Sequence, residues 1–297
     1  MMDEIALILR SICDKEQHLT YNSLFYWWPR VKDMDVPKPR TETVFHGAKA
    51  YFDDFDGEDV VKWFNKVFDV TKNFKDGPIF IRGDMTSGKH GWKRTCYVED
   101  RSRDSIFKHL GELAEDHETK MWLGPPLLGY AVRELIPTRK YFKAFHGEMP
   151  VTREWRYFYL DGEVICKHPY WPHDAIEQGT DTRYLRGDWK ILLEKINTEV
   201  EEEVEILTKM AIEIGRALED DLARGWSIDF LQGADGQYYF IDCAMAEMSY
   251  HWDGCDKEIL FRPREHIIQN TNELKDVVTN KAGRGDIVIF DEVDTNG

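Results

Sequence analysis

Two segments that have the pattern of a β-hairpin constrain the fold of this 297-residue chain more than any other feature. The first covers residues 154–166 and turns at Asp161-Gly162, and the second covers residues 226–241 and turns at Asp235-Gly236. An Asp-Gly pair between two runs rich in aromatic and β-branched residues is typical of a tight antiparallel turn. We therefore expect antiparallel sheet in the second half of the chain.

Helical patterns alternate with these strands. Apolar residues recur at helical spacing over 3–16, 59–74, 104–117 and 188–222, and shorter apolar runs indicate strands over 78–81, 95–98, 127–136 and 286–290. Pro29 is expected to end the aromatic stretch Leu24–Trp28. This mixture predicts an α+β fold whose two lobes meet near Pro137. We place a helical segment at 1–40, a first lobe at 41–137 and a second lobe at 138–297.

The charge balance argues against a nucleic-acid partner. The formal net charge is −16, from 55 acidic and 39 basic residues. Proteins that neutralise nucleic-acid phosphates need a basic face, so only a local patch would leave that function open. The sequence shows neither a signal peptide nor an apolar run long enough to span a bilayer. We therefore expect a cytoplasmic protein without a membrane partner.

The spacing of cysteine and histidine in the sequence does not suggest a metal centre. The five cysteines have no Cys-x-x-Cys spacing, which favours a reduced, intracellular chain. The histidines are scattered, and His168, His173 and His251 show no His-x-x-x-His spacing. The expectation is that these side chains have ordinary surface or core roles.

The second hairpin carries the most informative pair of residues. Asp229 and Asp242 lie on its two strands, each among large apolar neighbours. Because a tight turn joins the strands, both carboxylates can point from one face into a cleft. Hard oxygen ligands of this kind suit Mg²⁺, which is commonly shared between carboxylates and substrate phosphates. The alternative is that both are solvated strand residues.

A glycine-rich loop follows the strand at 78–81. Arg82 and Lys89 supply positive charge there, and glycines let backbone N–H groups approach phosphate oxygens. The spacing from Gly83 to Lys89 satisfies the P-loop pattern, but His90 replaces the usual Ser or Thr, and residues 92–98 are predicted to be a strand where a P-loop requires a helix. We interpret the loop as a flexible cover for phosphates, with an exposed hairpin turn as the alternative.

Two further segments are candidates for ligand binding. Arg156 lies inside an apolar strand, where a guanidinium needs an anionic partner, and Arg153 is the second choice. The partner is either a phosphate or a structural carboxylate. The apolar strand that ends at Pro137 could form a hinge between the lobes whose backbone contacts an adenine edge.

Taken in order, these segments resemble the ATP-grasp superfamily over residues 20–250. The series runs from the extended segment Val36–Thr41 through the glycine loop, the hinge at 132–137 and the Arg156 strand to the carboxylate hairpin. The hairpin is its most specific part. Within the superfamily, the chain more closely resembles the arginine-using variant clade of phage and bacterial genomes. The resemblance implies two lobes that clasp a nucleotide between antiparallel sheets.

The resemblance also assigns roles to individual residues, with ATP and Mg²⁺ as cofactors. Arg82, where a lysine is usual, would contact the phosphates together with Lys89 and the loop, and Arg156 would steady the transferred phosphoryl group. The adenosine would be held by Glu134, Leu135 and Ile136, and the metal by Asp229, Asp242 and Glu247. Glu247 enters this set because Ala244 stands where the family commonly has an asparagine metal ligand.

The implied activity is that of a carboxylate–amine (or thiol) ligase that works through an acyl-phosphate and releases ADP. The carboxylate substrate and the amine acceptor are unidentified, and a peptide or protein acceptor is one option. Residues 168–188, with Trp171, His173 and Arg183, could form its site or only a surface lid. Ala244 favours the alternative of an ATP-binding module that assists folding or assembly of a partner protein. A third alternative, nucleotidyl transfer to nucleic acid, requires a lysine nucleophile in a Lys-x-Asp-Gly motif, and the sequence does not contain this motif.

Overall fold

The computed structural model describes residues 21–46, 57–120, 126–219 and 225–261. Its helices are α1 (Leu24–Val31), α2 (Gly57–Thr71), α3 (Arg103–Lys120), α4 (Phe145–Glu148), α5 (His173–Gly179), α6 (Trp189–Asn197) and α7 (Glu201–Leu218). Its strands are β1 (Thr41–Phe45), β2 (Ile79–Gly83), β3 (Tyr97–Val98), β4 (Gly129–Glu134), β5 (Phe142–Ala144), β6 (Met149–Val151), β7 (Glu154–Leu160), β8 (Glu163–Pro169), β9 (Gly225–Gln232) and β10 (Tyr238–Met245). The helix expected at 3–16 and the strand expected at 286–290 lie outside these residues.

The first sheet has the strand order β1-β4-β2-β3, and all its pairs are antiparallel. Arg82 lies opposite Ala131, and Phe80 lies opposite Arg133. Because side chains alternate between the faces of a strand, both arginines share one face. The other face packs Ile81 and its neighbours against α2 and α3 in an apolar cluster. The two helices therefore cover one face of the sheet, and the face that carries Arg82 and Arg133 is turned away from them.

The second sheet has the order β10-β9-β7-β8 and contains both predicted hairpins. One face of β7 presents Trp155, Tyr157 and Tyr159, which are buried in a core shared with α1 and α7. The opposite face carries Arg156, directly across from Asp229 on β9. Alternation along β7 thus separates the aromatic core from the face that carries Arg156.

Strands β5 and β6 form a small third sheet. These strands, α5 and α6 enclose a separate apolar cluster that contains Trp171 and Trp189. Mixed helices and antiparallel sheets make this an α+β fold, and that prediction is confirmed. The proposed division of the chain at residues 40 and 137 stays a prediction. Among the described residues, the helices are either too short or too polar to cross a membrane.

Pro29 does not end the first helix, so that prediction is wrong. Helix α1 continues through Pro29 to Val31. Proline has no backbone N–H, so the helix loses one hydrogen bond at Pro29. The apolar face of the helix compensates, because Trp27, Trp28 and Val31 are all buried. Burial in the core therefore decides the length of this element.

The strand expected over 92–98 is also shorter than predicted, since only Tyr97 and Val98 pair with β2. The segment before them forms turns. Trp92 has a φ of 30°, and its carbonyl accepts the backbone N–H groups of Thr95, Cys96 and Tyr97 at 3.2, 3.0 and 2.9 Å. These local hydrogen bonds occupy donors that a longer strand would have offered to β2.

Candidate active site

A cleft of about 850 Å³ is lined by residues of both large sheets. This volume is typical of small-molecule and cofactor sites. Seven of the nine residues predicted from the sequence to form the site line the cleft, namely Arg82, Lys89, Glu134, Leu135, Ile136, Asp229 and Asp242. Its described lining does not include Arg156 or Glu247.

Asp229 and Asp242 lie directly opposite each other on β9 and β10. The register shifts between Phe240 and Asp242, which marks a local irregularity in β10 beside the carboxylate. Cross-strand partners point to the same face of a sheet, so both side chains enter the cleft. The Asp229 side chain is 6% exposed and that of Asp242 is 29% exposed. Asp242 is therefore the more accessible of the two carboxylates.

Each of these carboxylates is paired with an arginine. Arg156 donates from Nε and Nη2 to the two Asp229 oxygens, both at 2.8 Å. The Nη1 atom of Arg82 lies 2.7 Å from Asp242 Oδ1. Burial disfavours the charge of Arg156, but the adjacent Asp229, together with Tyr170 and Asp242, raises the pKa of the guanidinium overall. Arg156 thus orients Asp229, and Arg82 reaches the cleft itself.

Lys89 approaches the same cleft from the glycine loop. Its Nζ lies 3.2 Å from Glu154 Oε2 and 3.7 Å from the centre of the Tyr170 ring. Burial alone would lower the pKa of Lys89, but the charge of Glu154 and the contacts with Tyr170 raise it. Glu154 also accepts hydrogen bonds from Thr152 Oγ1 at 2.9 Å and Trp171 Nε1 at 3.1 Å. A fixed network therefore holds this ammonium group.

The glycine loop is closely packed. Gly88 has a φ of 63°, and a Cβ at this position would lie 2.6 Å from a Leu113 methyl group. A Cβ at Gly91 would lie 2.7 Å from Thr95 Oγ1. At its start, Asp84 accepts hydrogen bonds from Ser23 Oγ at 2.8 Å and from the Leu128 backbone at 3.1 Å. These contacts set the position of Lys89.

Arg133, which was not predicted from the sequence as a site residue, lines the cleft from β4 and is buried. Its Nη1 donates to the Ile241 carbonyl at 2.5 Å, whereas its buried Nε has no hydrogen-bond partner among the described residues. Burial and the nearby charge of Arg82 lower the pKa of Arg133. The available signal was an arginine inside an apolar strand, the reasoning that identified Arg156. Glu154 was also not predicted as a site residue, because nothing near it in the sequence indicates that it pairs with Lys89.

The hinge residues Glu134, Leu135 and Ile136 line the cleft beside the first sheet. The Glu134 amide donates to the Arg40 carbonyl at 2.9 Å, and the Pro137 carbonyl accepts from Ala234 at 2.7 Å. The hinge is therefore fixed to the turn of the carboxylate hairpin.

Glu247 lies on a 3₁₀ turn, Ala246–Met248, that follows β10. The structure does not bring it into the described cleft lining with the aspartates. Ala244 faces Ser227 across the hairpin, and Ser227 Oγ lies 2.6 Å from Ser249 Oγ. Asp229 and Asp242 are thus the predicted metal ligands that the structure places together.

Comparison with models of protein families finds a match over more than half of the chain. The family model of the ATP-grasp domain, R-to-K clade family 3, matches residues 56–259. Among curated protein sequences, none matches the chain.

Similar solved structures include the ATP-grasp ligase PsnB complexed with precursor peptide PsnA2 and AMPPNP, at 13% identity over 86% of this chain and 58% of that chain, with a TM-score of 0.36. The N5-carboxyaminoimidazole synthase from Aspergillus clavatus, in complex with ADP and 5-aminoimidazole ribonucleotide, is 9% identical over 76% and 44% of the two chains, with a TM-score of 0.42. D-alanyl-alanine synthetase A from Vibrio cholerae is 10% identical over 76% and 55%, with a TM-score of 0.39.

This chain spans less than two thirds of the length of each of these three structures. The family match, by contrast, covers more than half of the present chain and includes the glycine loop, the hinge and both aspartates. The protein therefore belongs to family 3 of the R-to-K clade of ATP-grasp domains.

Proposed function

We propose that the chain binds ATP and Mg²⁺ in the cleft and is an ATP-dependent carboxylate–amine (or thiol) ligase that releases ADP. The observation that carries the proposal is the meeting of Asp229 and Asp242 with buried Arg82 and Arg133 in one cleft. Carboxylates for a metal and arginines for an anion are the two requirements of a site for a metal–nucleotide complex.

The positive residues fit a polyphosphate. Arg82 and Arg133 share one face of the first sheet, and Lys89 approaches from the glycine loop. The buried Nε of Arg133 has no protein partner among the described residues, and a buried donor without a partner is costly. Phosphate oxygens would satisfy that donor and offset the repulsion between Arg82 and Arg133. These three side chains would therefore bind and orient the phosphates.

The carboxylates fit a magnesium ion, with Asp229 held in place by Arg156. Asp242 is the more exposed carboxylate, and its partner Arg82 lies among the phosphate-binding candidates. A bound magnesium ion supplies charge neutralisation on the phosphates. We expect Arg82 to exchange its contact with Asp242 for one with phosphate when the metal–nucleotide complex binds. Glu134, Leu135 and Ile136 would then hold the adenosine along the hinge.

The protein's part in the reaction is positioning and electrostatics. The terminal phosphate of ATP would pass to a substrate carboxylate, giving an acyl-phosphate and ADP, and an amine or thiol would then displace phosphate. Such chemistry depends on alignment and charge stabilisation, not on a protein nucleophile. Trp171 lies in the cleft lining, so an acceptor, including a peptide or protein, would approach beside residues 168–188.

A second candidate is an ATP-binding module that assists folding or assembly of a partner protein. Two observations favour it. Both aspartates are engaged by arginines, and Ala244 offers no oxygen ligand next to Asp242. A metal that must compete with an arginine for each carboxylate binds more weakly, which would suit binding without turnover.

Nucleotide product analysis distinguishes the two candidates. Purified protein is incubated with Mg-ATP and size-fractionated cell extract as a source of acceptors. The proposal predicts that the wild type forms ADP and phosphate in an acceptor-dependent way and that Asp242→Asn abolishes this turnover while keeping its circular-dichroism spectrum. Asp235→Asn is the matched control, because Asp235 lies in the exposed turn of the same hairpin, where Asn can also accept from the Gln237 amide.

Normal turnover by a well-folded Asp242→Asn variant would contradict the ligase proposal. ATP binding without turnover in any fraction would favour the assembly module.

A further inference from the structure

Four potential metal ligands converge at β8, outside the cleft lining. Cys166 and His168 are two positions apart on β8, so they lie on the same face of the strand. His251 and Cys255 belong to the segment that follows β10. One ligand atom from each residue lies within 4.8 Å of those of the other three, and Cys166 Sγ is 3.7 Å from His251 Nδ1.

The donor set and its dimensions fit a tetrahedral zinc ion. Zinc–sulfur bonds of about 2.3 Å and zinc–nitrogen bonds of about 2.0 Å place neighbouring ligand atoms roughly 3.3–3.8 Å apart. The 3.7 Å separation of Cys166 and His251 falls in that range. All the other separations are within 4.8 Å, so none exceeds that range by more than about 1 Å, a difference that small side-chain rotations can remove. Two thiolates with two imidazoles are a common ligand set of structural zinc sites.

The backbone holds these ligands together without a metal. The Cys255 amide donates to the Trp252 carbonyl at 3.0 Å, and Gly254 has a φ of 83°, so the ligand segment is a tight turn. Trp252 Nε1 donates to the Pro169 carbonyl at 2.8 Å, next to His168 in the sequence. The turn is thereby fixed against the end of β8, which reduces the ordering that metal binding would otherwise require.

The polar atoms of the cluster are poorly satisfied by protein. The buried Nε2 atoms of His168 and His251 have no hydrogen-bond partner among the described residues. Aromatic residues surround them: Phe158 stacks on His251 with ring centres 3.6 Å apart, and Trp252 lies parallel to His168 at 6.4 Å. Buried histidines and cysteines in such surroundings are costly unless bonded, and coordination would engage one nitrogen of each ring.

The surrounding charge also permits a metal. His168 is the cross-strand partner of Arg156. A bare divalent cation would be repelled there, but zinc bound by two thiolates carries no net charge. This ligand set is therefore compatible with an arginine neighbour, whereas a site with histidines alone would not be.

We propose that Cys166, His168, His251 and Cys255 bind one structural zinc ion that fixes residues 246–261 to β8. Four protein ligands close the coordination shell, so the site has no open position for catalysis. Its effect on the cleft is indirect, because β8 pairs with the strand that carries Arg156, which orients Asp229. The ligands occur as Cys-x-His and His-x-x-x-Cys in distant parts of the sequence. The expectation that His168 and His251 have ordinary roles overlooked this arrangement.

Metal analysis of the full chain tests the proposal directly. Protein is exposed to zinc, dialysed against metal-free buffer and analysed by inductively coupled plasma mass spectrometry. The expected result is about one zinc per chain in the wild type and none retained by Cys166→Ser or Cys255→Ser. Cys96→Ala is the matched control and should keep its zinc, because Cys96 is a buried thiol outside the cluster. Wild-type protein that retains no zinc would overturn the proposal, whatever the variants do.

Cobalt substitution tests the geometry. Co²⁺ in place of zinc should give the strong visible bands of a tetrahedral ion and a near-ultraviolet thiolate charge-transfer band, both lost in Cys255→Ser. An octahedral spectrum would contradict the assignment. So would a Cys166–Cys255 disulfide found by peptide mapping of the zinc-treated protein without reduction. Neither measurement depends on ATP, so failure here leaves the proposed ligase function untouched.

Discussion

At the scale of single residues, the cleft differs in charge from the rest of the protein. The whole chain has many more acidic than basic residues, 55 against 39, whereas the cleft lining contains slightly more Lys and Arg than Asp and Glu. Arg82 and Arg133 are both buried there. The cleft is therefore less acidic than the chain as a whole, which supports the proposal that it binds an anionic ligand.

Arg156 provides a test of the charge network at this scale. Arg156→Met leaves the buried Asp229 carboxylate without its bidentate partner, so we expect the free energy of unfolding to fall by about 3 kcal/mol. Denaturant unfolding monitored by circular dichroism measures the change.

The double variant Arg156→Met/Asp229→Asn serves as the control for that prediction. Neutralising the stranded carboxylate should restore part of the stability, so the two substitutions are expected to be non-additive. Strict additivity would show that the two side chains do not form the pair described here.

The sequence predicted part of this network, and the remainder required the fold. Asp229 and Asp242 could be paired because a short hairpin fixes their register, which is local information. Arg133 lies inside an apolar strand, which could have indicated an anion partner, but Arg133 and Glu154 line one cleft only because the two sheets face each other, and no local pattern encodes that arrangement. Arg156 was correctly expected to need an anion, but burial on β7 gave it a carboxylate inside the protein. Tertiary packing therefore decides whether Arg156 pairs with a phosphate or with a carboxylate of the protein.

At the scale of elements, the glycine loop is defined by packing as much as by composition. Gly88 needs its positive φ and the absence of a Cβ to approach Leu113. We expect Gly88→Ala to lower the free energy of unfolding by about 1–3 kcal/mol. It should also weaken nucleotide binding, because Lys89 is the next residue. Thermal unfolding and a nucleotide titration measure the two effects.

Gly111 provides the matched control. It lies in the exposed middle of α3, and a Cβ there would meet nothing within 4 Å. Gly111→Ala should therefore raise stability by about 0.5–1 kcal/mol and leave nucleotide binding unchanged. Equal losses in the two variants would contradict the packing account of the loop.

Element boundaries followed the sequence where local signals and packing agreed. Strand β7 runs from Glu154 to Leu160, which agrees with the hairpin predicted over 154–166 and its turn at Asp161-Gly162. Helix α1 passes through Pro29 because buried tryptophans outweigh one missing hydrogen bond. The strand that ends at Val98 is short because the backbone N–H groups before it donate to the Trp92 carbonyl in local turns. In both exceptions, an interaction invisible to a residue-by-residue pattern decides the boundary.

At the scale of the whole molecule, hydrogen bonds connect the first sheet and the segments on either side of it to the carboxylate hairpin around the cleft. The Pro37 carbonyl accepts from Phe240 at 2.8 Å, the Pro137 carbonyl accepts from Ala234 at 2.7 Å, and Arg133 reaches the Ile241 carbonyl. These contacts come from the extended segment before β1, from the hinge and from β4. A ligand in the cleft would therefore contact structure that is already connected across both sheets.

The most direct test of this account is calorimetric titration of a non-hydrolysable ATP analogue with Mg²⁺ into the wild type, Arg133→Met and Arg103→Met. We expect one site in the wild type and an affinity reduced about tenfold to a hundredfold in Arg133→Met, because a charged hydrogen bond contributes roughly 1.5–3 kcal/mol. Arg103→Met should bind like the wild type, since Arg103 contacts Asn65 on a helix outside the cleft lining. Absence of binding to the wild type, or equal affinity in a folded Arg133→Met variant, would contradict the assignment of this cleft to Mg-ATP.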